Sequence, residues 1–157
     1  MTATTEGVDK LSQQLRALAG TFDGEPMDEA LFQGALVLER EVKVKIRDVG
    51  LIDTGNYRAD VRSDKGVGEA VVGTNTVYGP IHEFGGNIPI TAKSRRYFWA
   101  RFRETGDGKW KGLALTRKSH ITVRARPHWR PAIDTRKEAI ARAIIKSLQA
   151  AINARVG

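Results

Sequence analysis

Leu31, Ala35, Leu38, Val42, Ile46 and Val49 recur at intervals of three and four residues from about Met27 to Val49. That is the period of one helical face and cannot be a strand, whose faces alternate every second residue. Pro26 stands just ahead of the run and Gly50 just behind it. A proline loses nothing at a helix start, and a glycine suits a left-handed stop. A second stripe, Ile133, Ile140, Ile144, Leu148 and Ile152, follows Arg126-Pro127-His128-Trp129-Arg130-Pro131, where a proline in the first helical turn again gives up no hydrogen bond. Two long helices, each with one apolar face, must bury those faces against each other or against a sheet. Gly34 lies inside the first of them at a cost of about 1 kcal/mol relative to Ala. Either the packing there is close or the helix tolerates the loss.

The chain between these helices supplies the sheet. After the turn-rich Asp53-Thr54-Gly55-Asn56, residues Tyr57 to Ser63 and Val67 to Thr74 read as two strands joined through Asp64-Lys65-Gly66. Val77 to Phe84 contains Pro80 and ends at Gly85-Gly86, which allows at most a short helical turn before the chain reverses. Ile88 to Ile90 is a candidate strand, Thr105 to Gly108 a loop, and the basic and aromatic run between them fits strand or helix. His120 to Arg124 alternates as a strand does, with Ile121 and Val123 on one side. Near the start, Val8, Leu11, Leu15 and Leu18 share a helical face that stops at Gly20. The expected fold class is α+β, with long amphipathic helices packed on one face of a small antiparallel β-sheet. Residues 1–25 are expected to form an N-terminal helix or arm and residues 26–157 a single domain. A chain of 157 residues is long enough to build a core without staples. With no cysteine, disulfide and thiolate chemistry are excluded.

Charge is unevenly distributed. Residues 1–40 carry 3 basic and 7 acidic groups, residues 41–90 carry 6 and 7, residues 91–130 carry 12 and 2, and residues 131–157 carry 5 and 2. A basic block of that kind attracts phosphate or an acidic protein surface, with a strength that falls as salt rises. In a ring it could be satisfied by the acidic N-terminal part of a neighbouring copy, and as a plain solvated face it needs no partner. Within the block, Ser94-Arg95-Arg96-Tyr97-Phe98-Trp99-Ala100-Arg101-Phe102-Arg103 interleaves cations with aromatic rings. Single-stranded nucleic-acid platforms do this, as do subunit interfaces, where aromatics and Arg are enriched, and the interface reading is favoured. Lys93, Arg95, Arg96, Trp99, Arg101, Arg103, Lys109, Lys111, Arg117 and Lys118 are therefore the candidate interface or phosphate-facing residues. No apolar run approaches the roughly 18 to 20 residues that span a bilayer, and Met1 to Gly7 has no signal-peptide character, so synthesis and folding in the cytoplasm, without a membrane partner, are expected.

Catalytic patterns fail on spacing. His82-Glu83 would suit a zinc protease, but four residues after His82 stands Gly86, so the second imidazole of the helical pair is missing. His120 and His128 lie far along the chain, and no metal or other cofactor is expected. Gly66-Val67-Gly68 lacks the following helix and the Lys-Ser/Thr of a phosphate loop. Ser12, Ser63, Ser94, Ser119 and Ser147 are not in a nucleophile elbow. Asp53 and Glu83 could pair as general acid and base, yet turn-making suffices for Asp53. No catalytic residue is assigned, and the protein is expected not to be an enzyme.

The ordered set Asp53-Thr54-Gly55-Asn56, Val72-Gly73-Thr74-Asn75, Val77-Tyr78-Gly79-Pro80-Ile81-His82-Glu83-Phe84-Gly85-Gly86 and Arg126-Pro127-His128-Trp129-Arg130-Pro131-Ala132-Ile133 resembles the small tail-component family of lambda-like long-tailed phages. There a "D-TGNLR" turn, a "VGT" strand end, a "YA-x-x-x-EFG" motif and an "RPFLRPAL" helix start recur in this order. Ile81 to Gly86 also looks like the "IHQFGG" of tail-completion proteins of contractile-tailed phages. The resemblance covers Met27 to about Ile152. It implies a neck or tail-terminus subunit of the virion, assembled in the host cytoplasm into a ring, often sixfold, between the head-side connector and the tail tube. The implied partners are further copies of itself, a head-closure or connector protein, a tail tube or tail terminator protein, and genomic DNA in passing. A basic DNA-binding accessory protein is the alternative. Two positions depart from the pattern: Tyr57, where an aliphatic is usual, and His128-Trp129, where Phe-Leu is usual, so packing there should differ. The motif residues make sense as architecture. Gly85-Gly86 permits a reversal closed to other residues, Pro127 and Pro131 fix the start of the last helix, and Tyr78, Phe84 and Trp129 are expected to hold that corner by burial.

Overall fold

The computed structural model describes residues 23–51 and 55–156. The helix expected over Val8 to Leu18, and with it nearly all of the N-terminal arm, lies outside the described residues, as do Asp53 and Thr54. The described chain is α+β: helices α1 (Glu25–Asp48), α2 (Asn56–Asp60), α3 (Gly79–Phe84), α4 (Ala92–Thr105), α5 (Gly108–Leu115) and α6 (Trp129–Val156), with strands β1 (Arg62–Lys65), β2 (Ala70–Gly73), β3 (Gly86–Pro89) and β4 (His120–Val123). The sheet is divided into two antiparallel ribbons, β1–β2 and β3–β4. Where one domain is expected over residues 26–157, the contacts cluster into two compact units, one holding residues up to Val77 and from His128 onward, the other Tyr78–Pro127.

In the first unit α1 begins with Pro26 and the acidic Glu25 and Asp28, and ends with Lys45 and Arg47, charges matched to the helix dipole. Gly50, at φ 71°, closes it: its N–H reaches the Arg47 carbonyl, and the Leu51 N–H reaches Ile46 at 3.1 Å, the paired bonds of a left-handed glycine stop. The Gly34 question resolves as close packing, because a Cβ there would sit 2.8 Å from Cγ1 of Ile144 and 3.3 Å from Cγ2 of Ile140 on α6. The same two helices are bridged by Arg136, whose Nε donates to the buried Glu41 carboxylate at 2.8 Å. The core comprises Val42 and Ile46 of α1, Tyr57, Val61 and Ala132, with Leu38, Leu51, Val72 and Trp129 packed around it.

The strand expected from Tyr57 is instead the short helix α2 up to Asp60, with β1 starting at Arg62. The buried Tyr57 and Val61 are four residues apart, a helical interval that places both on the core side. The hairpin turn also lies later than expected. Asp64 and Lys65 remain paired, with Val71 and Ala70, and the turn is Gly66–Glu69, closed by the Gly66 N–H on the Glu69 carbonyl at 2.9 Å. Its backbone is tied to α1, where Asp28 accepts from the Gly68 N–H at 2.6 Å.

In the second unit β3 and β4 pair with Ile88 opposite Ile121. Between them the basic and aromatic run forms α4, started by a reciprocal Thr91–Ser94 capping box and ended by Gly106 at φ 69°. A further helix, α5, follows at once, with Asp107 accepting from the Lys109 N–H at 2.9 Å. Gly85 and Gly86 make the expected reversal: Gly85 has φ 72° and ψ 179° and lies against the backbone of Val123 and Ala125, while the Arg126 N–H donates to the His82 carbonyl at 2.7 Å.

Candidate interaction surface

The motif residues act mainly as framework. Gly55, in the left-handed conformation, precedes α2. At the end of α2, Asp60 accepts from the Thr74 hydroxyl (2.7 Å), the Asn75 N–H (2.8 Å) and the Thr76 hydroxyl (2.9 Å). Asp60 thus explains why Gly73-Thr74 ends a strand where it does: the chain leaving β2 is fastened to a carboxylate 14 to 16 residues earlier. The hydroxyls of Thr74 first, then Thr76, hold this carboxyl below the usual carboxylate range. Nothing in the sequence marks Asp60, since the spacing between acid and acceptors follows no local motif.

The two departures from the phage pattern meet in space. Tyr57 Oη lies 2.6 Å from Nε2 of the fully buried His128, and Trp129 Nε1 donates to the same hydroxyl at 3.2 Å. A polar pair therefore stands where the pattern has two apolar side chains. The clue was available in the sequence as two unusual residues at once, though nothing there said that they touch.

Elsewhere the motif behaves differently from the expectation. Phe84 is 81% exposed and Tyr78 is 43% exposed, so neither holds a corner by burial. The reason is register: α3 turns Gly79 and Glu83 inward, four residues apart, and Phe84 follows one step off that face. Trp129 does pack on the first unit's core. The segment Arg126 to Pro131 is itself divided, with Arg126 and Pro127 in the second unit and Trp129 and Pro131 in the first.

The basic segment is where the geometry concentrates. The unit Tyr78–Pro127 carries 11 basic and 3 acidic residues, a net +8, and the rest of the sequence carries 15 of each. The net charge of the whole chain therefore resides in this one unit. Its aromatic rings are largely turned on one another: Trp110 stacks with Phe98 at 6.1 Å and meets Tyr97 edge-on at 5.9 Å, and Trp99 meets Phe102 at 6.1 Å.

The candidate cations fall into two sets. Arg95 points inward and donates to the carbonyls of Ala114 (2.9 Å) and Thr116 (2.6 Å), closing the end of α5. Arg101 and Lys109 lie over the Trp110 ring and pair with Glu104 and Asp107 respectively, and Lys111 lies over Phe102. Lys93, Arg96 and Arg103 occupy the opposite face of α4 at intervals of three and seven residues, exposed and with no acidic partner among the described residues. Arg117 and Lys118 are likewise exposed after α5. Trp99, 37% exposed, borders the α4 cations. A face with exposed cations and an accessible indole, carried on packed rings, can hold an anionic macromolecular surface.

Fold and surface together define a class, a small α+β protein with a strongly cationic unit joined to an electrically balanced one. No described helix is long and apolar enough to cross a membrane, and the described residues contain no group of three His, Cys, Asp or Glu able to hold a metal ion. No family model and no solved structure matches the chain. Among curated proteins it is similar to the Mu-like prophage FluMu G protein 2 of Haemophilus influenzae, with 37% identity over 92 residues, covering 52% of this chain and 63% of that protein. The match thus spans less than two thirds of the relative's length. The chain is a phage-associated protein.

Proposed function

We propose that the protein is a non-enzymatic structural subunit of a phage particle, forming a ring at the neck or tail terminus that joins the tail tube to the head-side connector. The observation that carries this reading is the cationic unit: Phe98, Phe102 and Trp110 pack on neighbouring rings while Lys93, Arg96 and Arg103 are exposed with no acidic partner among the described residues, an arrangement suited to contact with another macromolecule. The prophage relative and the ordered phage-like motifs support the same reading. The neighbours are further copies of the chain, a head-closure or connector protein, and a tail tube or tail terminator protein.

The exposed Lys93, Arg96, Arg103, Arg117 and Lys118 also suit duplex phosphate, which keeps a DNA-binding accessory role as the second reading. Light scattering and negative-stain imaging of the purified protein, at low and moderate salt, separate the two. A closed ring indifferent to DNA is the expected outcome. A monomer that binds duplex DNA with steep salt dependence would overturn the ring in favour of the second reading.

A further inference from the structure

We propose that the outward face of α4 is a self-association surface whose occupant is the acidic hairpin end of a second copy of this chain, a deepening that rests on the ring reading above. The complementary patch is built by the β1–β2 turn and the start of α1. Around it stand Asp23, Glu25, Glu29, Asp64 and Glu69, with Asp28 buried beneath, against a single cation among the described residues there, Lys65, held by Glu25 at 2.6 Å and Glu29 at 3.5 Å. Asp23, Asp64 and Glu69 are exposed and have no cationic partner among the described residues. At the tip of the turn Val67 is 94% exposed, and the turn is held in place by the Asp28 bond to Gly68.

The two patches match in kind as well as sign. One has an accessible indole, Trp99, beside Lys93, Arg96 and Arg103; the other has an accessible valine, Val67, in the turn between Asp64 and Glu69. Apolar centres ringed by charges are the usual layout of a specific protein contact. Duplex DNA would use the cations and leave the indole without a role. A single-stranded platform would need a run of free rings, whereas Phe98, Phe102 and Trp110 are engaged with one another or with cations and the half-exposed Tyr97 meets Trp110 edge-on. Because the patches are different surfaces of one molecule, pairing them between copies is head-to-tail, the arrangement that closes into rings when the rotation permits.

The test uses two charge reversals in the full chain, Arg96→Glu with Arg103→Glu, and Asp64→Lys with Glu69→Lys, all at exposed positions. Analytical ultracentrifugation at low salt should show the unaltered protein associating, and weakening at about 0.5 M salt. Each doubly substituted chain alone should associate about 100-fold more weakly, as like charges now face each other. An equimolar mixture should recover association, since the reversed face of one variant meets the reversed hairpin end of the other, and their two unaltered patches meet each other. Recovery in the mixture supports the pairing, because a contact within one chain could not be rescued in trans. If both variants associate as the unaltered protein does, this contact is wrong while a ring of another geometry stands. If both fail and the mixture fails too, the patches do not meet each other. If the unaltered protein stays monomeric at low salt, self-docking is overturned and the ring reading loses its solution evidence as well. Loss of duplex DNA binding by the Arg96, Arg103 variant, with self-association intact, would assign the face to nucleic acid.

Discussion

Gly85→Ala isolates the reversal between α3 and β3. Gly85 sits at φ 72°, ψ 179°, a region that L side chains rarely enter, and a side chain held there costs about 1 to 3 kcal/mol. The added Cβ would also lie 2.9 Å from the Ala125 amide nitrogen and 3.1 Å from the Val123 carbonyl oxygen. Both are backbone atoms at the end of β4, so no side chain can rotate away, and overpacking of this kind adds about 1 to 3 kcal/mol. The expected total is about 2 to 6 kcal/mol. A unit the size of Tyr78–Pro127, at about 0.05 to 0.15 kcal/mol per residue, has roughly 2.5 to 7.5 kcal/mol to lose. The substitution should therefore unfold much of that unit. Hydrogen exchange resolved by peptide is the assay: protection should fall across β3, α4, α5 and β4 and persist in α1 and α6. Gly86→Ala is the comparison: at φ 153° it too meets conformational strain, but its nearest obstacle is the Ile81 side chain at 3.3 Å and not backbone, so it should be milder. Unchanged exchange in Gly85→Ala, with a stability loss under about 1 kcal/mol, would refute the steric and conformational argument.

Three further outcomes are expected. Tyr57→Leu and His128→Phe should each destabilise by about 1 to 3 kcal/mol, by removing one side of the buried Tyr57–His128 hydrogen bond, whereas the double variant should lose less than the sum of the two. A denaturant double-mutant cycle measures the coupling, and simple additivity would show that the hydrogen bond is not what links the two positions. Arg95→Ala should increase amide exchange in residues 113–119 by uncapping the end of α5, and Arg95→Lys should not restore it, because one ammonium cannot reproduce the guanidinium's contacts with separate carbonyls. For Asp60, whose folded pKa is depressed, the carboxylate contributes stability above its ordinary value of 3.8, and the contribution is lost as pH falls through the lower folded value. The difference in melting temperature between the unaltered protein and Asp60→Ala should thus shrink on acidification, and a pH-independent difference would refute the assignment.

Much of the fold was legible because it is written in local periodicity. The stripes from Leu31 to Val49 and from Ile133 to Ile152 predict α1 and α6, the glycine at 50 predicts the stop, and the alternation at Ile121 and Val123 predicts β4. Tyr57 to Asp60 misread as strand because a five-residue helix is too short to show a period, and its conformation follows from burying Tyr57 and Val61 together against Val42 and Ile46. The basic and aromatic run fits helix or strand by sequence, and the Thr91–Ser94 cap and the packing of Phe98 on Trp110 make it a helix.

By itself the sequence determined the α+β class, the long helices, the absence of thiol chemistry and the concentration of positive charge after residue 90, all properties of residue type and near neighbours. Only the tertiary structure decided which cations are free. Arg95 and Arg96 are adjacent in the chain, yet a helix turns one onto the carbonyls of Ala114 and Thr116 and the other to solvent. The same holds for Tyr57 with His128 and for Asp60 with Thr74. Partners 14 or 71 residues apart are selected by where the backbone folds back, and no local pattern encodes that distance.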